Sequence, residues 1–324
     1  MSPSFELRKA SPEDLALIVH GATVCTGDPV ELAFSRFSEP MAALYEGSEA
    51  ARIRRACTAG VVLRFRSVAT RLEGAFSFGV RARRNLTFDL RVDDGPVRSI
   101  VPEGPSEWEG CLWEAEGARL REFELWLPPL AETRLRSLVG DAPFLPPDPL
   151  PRRWLALGDS ITQGMEASTP TRNWAARVAL AGGWHLHNAG VGGAIFDARL
   201  ARAIAGEPYD LLTLAFGTND YYGARPLEEF EAACMEFFTT LELPAGAQCW
   251  VIAPPPCLSL PVNKAGVPLA SYREILSGVC ARFPHVKDAG VLVPEDAACF
   301  PPNDVHPNDL GMERYAEALL ALLK

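Results

Sequence analysis

The chain has 324 residues, 48% of them hydrophobic and 22% charged, an ordinary globular balance with room for a sizeable core in one or two domains. A formal net charge of −10 argues against nucleic acid or an anionic membrane as the main partner. No apolar run approaches the roughly 18 residues of a membrane helix. The first 24 residues carry Glu6, Glu13 and Asp14 where a signal peptide would be basic and then apolar, so a cytoplasmic location is expected.

The eight cysteines (Cys25, Cys57, Cys111, Cys234, Cys249, Cys257, Cys280 and Cys299) include no Cys-x-x-Cys pair. In a chain of this length that predicts buried reduced thiols, not a disulfide frame or a zinc site. Residues 1–148 show strand-like alternation. Arg52 to Arg55 form a basic cluster that reads as a solvated face. In 60–67, Leu63 and Phe65 face one way and Arg64 and Arg66 the other. In 86–92, Leu86, Phe88, Leu90 and Val92 alternate with Thr87, Asp89 and Arg91, and Asp93-Asp94-Gly95 then offers a hairpin turn. Residues 122–127 alternate again and stop at Pro128-Pro129. Short strands separated by turn signals predict an all-β sandwich over 1–148. Trp108, Trp113 and Trp126 suit either a sugar platform or core packing.

Five prolines between 143 and 151 predict a stiff connector. From 149 to 324 strands and helices alternate. Strands are predicted at 154–157, 184–188, 210–216 and 248–253, and helices at 173–181, 197–205, 227–241, 272–283 and 310–323. This alternation predicts a parallel sheet with helices on both faces.

Polar or glycine-rich residues stand at four predicted strand exits: Ser160, Gly193, Asn219 and the prolines after Ala253. Polar groups gathered at the carboxyl ends of parallel strands mark a site. A serine nucleophile needs a base, and there are five histidines. His20 lies in the sandwich half, His185 and His187 alternate on a short strand, and His285 follows a helix. His306 lies in an extended loop just before the last helix, with Asp304 two residues ahead of it. The chemistry asks for an imidazole to move the serine proton, a carboxylate or carbonyl to hold that imidazole, and donors aimed at the oxyanion. The Ser160 and Gly193 N–H groups and the Asn219 amide are candidate donors. Asp159 and Asp220 are expected to fix the loops around Ser160 and Asn219. Tyr221 and Tyr222 are expected either to wall a pocket or to pack at a helix start.

Gly158-Asp159-Ser160-Ile161-Thr162 resembles block I of the SGNH (GDSL) hydrolases. Asn188-Ala189-Gly190-Val191-Gly192-Gly193 resembles block II, Gly217-Thr218-Asn219-Asp220 block III, and His306-Pro307-Asn308 block V. The resemblance implies a three-layer α/β/α, flavodoxin-like hydrolase domain over 149–324. It implies a serine acyl-enzyme with Ser160 and His306 catalytic, the oxyanion held by Ser160, Gly193 and Asn219, and no metal or other cofactor. Most of that family places its acid three residues before the histidine, where this chain has Asn303. Asp304, at minus two, resembles the family-two carbohydrate acetylesterases, which carry a jelly-roll domain ahead of the hydrolase domain. In that group a backbone carbonyl is an alternative to the acid, so Asp304 completes a triad or the site is a Ser–His dyad. The expected activity is hydrolysis of a small acyl ester, foremost O-acetyl on a carbohydrate. A lipase, thioesterase or arylesterase and a non-catalytic carbohydrate-binding protein are the alternatives, and a homo-oligomer stays open.

Overall fold

A computed structural model describes residues 8–22, 24–27, 31–302 and 305–324. The chain forms two compact units that exchange short segments. One holds the chain up to Ser38, Ala56–Pro149 and Thr169–Thr171; the other holds Glu39–Arg55, Leu150–Ser168 and Arg172–Lys324.

The first unit contains two antiparallel sheets. One orders its strands Val24–Gly27, Leu32–Ser35, Ala131–Gly140, Arg71–Arg81 and Glu107–Glu114, with Arg8–Lys9 also on Ala131–Gly140. The other runs Val19–His20, Val62–Ser67, Arg121–Trp126, Phe88–Val92 and Arg98–Ile100. The period-two pattern sets the register: Phe65 pairs with Phe123 and Leu63 with Leu125, and on the next strand Leu125 pairs with Leu90. Residues of both sheets share one core, with Phe65 stacked on Phe123 at 5.1 Å between ring centroids. The three tryptophans go to packing. Trp126 is buried, Trp108 lies against Phe76 and Phe88, and Trp113 meets Phe123 edge-on.

Arg64, on the outward face of its strand, is nonetheless buried. It pairs with Glu122 and, at 3.0 Å, with Glu124, which also takes Arg91 at 2.8 Å. Burying such charges is tolerable only because each is paired. The hairpin turn forms at Asp93, with φ +53°, between strands that pair Leu90 with Arg98. The proline-rich connector is fastened at its start: Leu145 bridges to Arg66, and the Ser67 hydroxyl donates to the Pro143 carbonyl at 2.9 Å.

Asp89 is fully buried in this unit. Its carboxylate accepts from the hydroxyls of Ser99, Thr169 and Thr171, each at 2.6 Å, and from the Thr171 N–H at 2.8 Å. Segment Thr169–Thr171 is thereby tied to the antiparallel sheets.

The second unit is built on a five-stranded parallel sheet ordered Trp184–Gly190, Arg152–Gly158, Leu211–Ala215, Gln248–Ile252, Val286–Gly290. In chain order that is 2-1-3-4-5, the doubly wound arrangement. Right-handed crossovers in a sheet that reverses direction after its second strand send helices to opposite faces. Accordingly Trp174–Gly182 packs with Asp309–Leu322, while Leu227–Thr240 packs with both Ala198–Ala203 and Leu269–Cys280. The first pair is locked by Trp174, which stacks on Tyr315 with centroids 4.5 Å apart and also meets Trp154. No helix among the described residues is long and apolar enough to cross a membrane.

Asp89→Ala strands three hydroxyls and one backbone N–H, so it is expected to lower unfolding stability by about 3 kcal/mol or more. Urea denaturation followed by tryptophan fluorescence checks this, and a wild-type midpoint would refute it.

Candidate active site

Strand Arg152–Gly158 lies between its neighbours with Gly158 in register with Gly190 on one side and Ala215 on the other. These ends adjoin the point where the strand order reverses, where open α/β sheets place their ligands. The chain leaves Gly158 into the one-turn helix Ser160–Gln163, capped by Asp159, whose carboxylate accepts from the Ile161 N–H at 2.9 Å. That turn sits almost on bare backbone. A Cβ at Gly158 would lie 2.1 Å from the Thr162 hydroxyl, and one at Gly190 would lie 2.4 Å from the Gln163 nitrogen. Both the Asn188 amide, at 2.7 Å, and the Asn173 amide, at 2.9 Å, donate to the Thr162 carbonyl. Gly164 ends the turn at φ +102°.

Ser160 is nearly buried, and His306 Nε2 lies 2.8 Å from its Oγ. The histidine loop is anchored at the start of the last helix. Asn308 caps helix Asp309–Leu322, accepting from the N–H groups of Leu310 and Gly311, while its amide donates to the Ala298 carbonyl at 2.9 Å. Asp309 accepts from the Ser168 N–H at 2.8 Å, tying the helix start to the chain just past the serine turn. Asp304 lies outside the described residues.

Gly193 has φ +87°. Asn219 sits in the short helix Thr218–Tyr222, entered through Gly217 at φ +109°. Its amide nitrogen is 3.0 Å from the Ala194 carbonyl and 3.4 Å from Asp159 Oδ2. The amide is therefore tied to the residue after Gly193 and to the residue before Ser160. Among the described residues the Ser160 and Gly193 N–H groups donate no backbone hydrogen bond. Ser160 and His306 are thus in contact, and Asn219 is linked to the neighbours of both other expected donors.

The two flanking aspartates are buried. Burial pushes the Asp159 carboxyl up to about 7, against the pull of hydrogen bonds from the Ile161 N–H and Thr218, with the Asp220 charge adding to the rise. Asp220 is raised by burial too, although Arg225 pairs with it at 2.9 Å. The tyrosines divide: Tyr221 is fully buried against Tyr272 with its hydroxyl donating to the Leu260 carbonyl, while Tyr222 is 38% exposed. Asn173, Asn188 and Gln163 support the serine turn, and of these Asn188 opens the block II stretch while Gln163 carries no sequence signal of its own. An Asn immediately before the predicted 173–181 helix is at least a legible cap signal.

Residues 156–314 match the family model described as GDSL-like Lipase/Acylhydrolase family. No curated protein matches the chain. Among solved structures the chain is similar to a salicylyl-acyltransferase from a tetracycline biosynthetic pathway, at 24% identity over 98% of this chain and 97% of that one, with TM-score 0.81. It is similar to a family two carbohydrate esterase from Cellvibrio japonicus, at 18% identity over 98% and 96%, TM-score 0.65. It is similar as well to an acetyl xylan esterase from the rumen bacterium Butyrivibrio proteoclasticus, at 14% over 98% and 97%, TM-score 0.63. At these identities the structures speak for the fold.

Because Asp159 holds its proton more tightly folded than unfolded, its contribution is most favourable below pH 4 and is lost as pH rises through about 7. Asp159→Asn keeps an acceptor for the Ile161 N–H and removes the titration. Urea unfolding between pH 5 and 8 is expected to show the wild type losing about 1 kcal/mol per pH unit more than the variant over this window. Parallel profiles would refute the assignment.

Proposed function

We propose that the protein is a serine esterase for small acyl esters, foremost O-acetyl groups on a carbohydrate, a reading supported by the match of residues 156–314 to the GDSL-like lipase/acylhydrolase model. In this reading Ser160 Oγ attacks the acyl carbonyl as His306 Nε2 takes its proton. The tetrahedral oxyanion is met by the Ser160 and Gly193 N–H groups and the Asn219 amide. The ester C–O bond breaks, His306 returns the proton to the departing alcohol, and a water activated by the same histidine releases the acyl group. Asp304 orients the imidazole. The 2.8 Å approach of His306 Nε2 to Ser160 Oγ carries this reading.

The carbohydrate alcohol is supported by two similar structures that are themselves a carbohydrate esterase and an acetyl xylan esterase, each aligned over 98% of the chain. On the same grounds we read the parallel-sheet unit as a three-layer α/β/α hydrolase domain and the antiparallel unit as a jelly roll. A second reading, transfer of the acyl group to an alcohol in place of water, is favoured by the likeness to a salicylyl-acyltransferase at TM-score 0.81. The two share the acyl-enzyme and differ in the acceptor.

Hydrolysis of p-nitrophenyl acetate is expected to exceed that of the butyrate and octanoate esters and to vanish in Ser160→Ala; equal rates for wild type and variant would end the enzyme reading. Added alcohols that divert product from acid to ester would establish transfer. Asn219→Ala is expected to lower kcat about 10²- to 10³-fold. Asp304→Asn is expected to lower kcat at least about 10²-fold if the carboxylate sets the histidine tautomer, and near-full rate would indicate a dyad.

A further inference from the structure

We propose that Arg54 is a positioning residue for the oxyanion loop at Gly192 and Gly193, acting together with Gln163; this rests on the acyl-enzyme reading of the site. The basic cluster at 52–55 reads from sequence as a solvated face, and Arg52 is exposed as that reading expects, while Arg55 is half-buried. Arg52 donates to the Glu46 carbonyl at 2.8 Å and Arg55 pairs with the Glu46 carboxylate at 2.5 Å. Arg54, in helix Glu49–Ala56, turns inward. Its Nη1 donates to the Gly192 carbonyl at 2.9 Å.

Two further bonds close a ring. The Gly192 N–H donates to Gln163 Oε1 at 2.8 Å, and Gln163 Nε2 donates to the Arg54 carbonyl at 2.9 Å. Gln163 is fully buried and ends the same turn that Ser160 begins. Both polar groups of Gly192 are therefore held by residues whose own positions are linked, one through the serine turn and one through a helix 138 positions upstream. The guanidinium also lies against the loop. A Cβ at Gly192 would be 2.9 Å from Arg54 Cδ, and one at Gly193 would be 3.0 Å from Nη1. A donor aimed at a developing oxyanion works by being in place before the charge appears. A loop of two glycines has no side chains of its own to hold it there. The ring supplies that hold, and its removal lets the Gly193 N–H drift without touching substrate.

The test uses Arg54→Ala, Arg54→Lys, Gln163→Ala and the Arg54→Ala/Gln163→Ala double variant. Each is assayed with p-nitrophenyl acetate and expressed per reactive serine counted with a fluorophosphonate. Arg54→Ala is expected to lose about 10- to 100-fold in kcat with KM within two-fold. Arg54→Lys, retaining one donor, is expected to recover part of the loss. The double variant is expected to be no slower than the worse single one, since members of one ring are not additive. Arg52→Ala and Arg55→Ala are the controls expected to keep wild-type kcat. Wild-type kcat in Arg54→Ala would overturn the proposal, as would single losses that multiply in the double variant. So would a rise in KM alone, which would make Arg54 a substrate contact, or a loss confined to the number of reactive serines, which would make its role only structural. A wild type no faster than Ser160→Ala would overturn the esterase reading and this proposal with it, whereas an active wild type with an indifferent Arg54 overturns this proposal alone.

Discussion

The turn Ser160–Gln163 rests directly on the backbone of two neighbouring strands, and nothing larger than hydrogen fits at Gly158 or Gly190 beneath it. That close approach brings the Thr162 carbonyl within reach of two asparagine amides and buries the Gln163 side chain. With the turn seated in this way, Ser160 Oγ is presented at the edge of the sheet where strand order reverses. The other parts of the site are then located by reference to it. Asn219 reaches the cap residue Asp159, Gly192 is bonded to Gln163, and His306 meets the hydroxyl itself.

The electrostatics of the site derive from how tightly this turn is packed. Asp159 caps the turn from a position without solvent, and a second carboxyl, Asp220, lies close enough to raise it further. The carboxylate is retained at a cost because it fixes the Ile161 N–H and faces the Asn219 amide. Thr218 and Arg225 limit that cost by bonding to the two acids. A buried acid pair beside Ser160 also restrains the surrounding loops, since each carboxylate oxygen that is bonded removes a freedom of the chain.

Legibility varied with how local the physics was. Strand Arg152–Gly158, its apolar run closed by Gly-Asp-Ser, and helix Leu227–Thr240, with its apolar stripe, could be seen directly. Strand Ala131–Gly140 could not. Its register shifts at 131/133 and 135/137 break the period of two on which a strand reading depends. Strand Arg71–Arg81 carries Gly74 and Gly79, residue types that weaken a strand pattern in sequence. In the fold Gly74 is a place where Phe76 and Leu112 side chains cross the backbone. The edge strand Val286–Gly290 carries an exposed Lys and Asp at its second and third positions, so it shows no apolar run at all.

Sequence alone determined the classes of element and the candidates for chemistry. A period of two or 3.6, and a glycine-flanked serine at a strand exit, are properties of neighbouring residues. The sequence points to His306 among the five histidines, but only the tertiary structure decided that its Nε2 lies 2.8 Å from Ser160 Oγ, and that Tyr221 is interior while Tyr222 is not. It alone decided that Arg54 leaves its basic cluster to hold a loop far along the chain, and that Asp89 ties Thr169–Thr171 to the antiparallel sheets. These are pairings between segments from about 80 to almost 150 positions apart. No local pattern encodes them, because the free energy that selects each partner comes from packing the whole sheet and its helices around it.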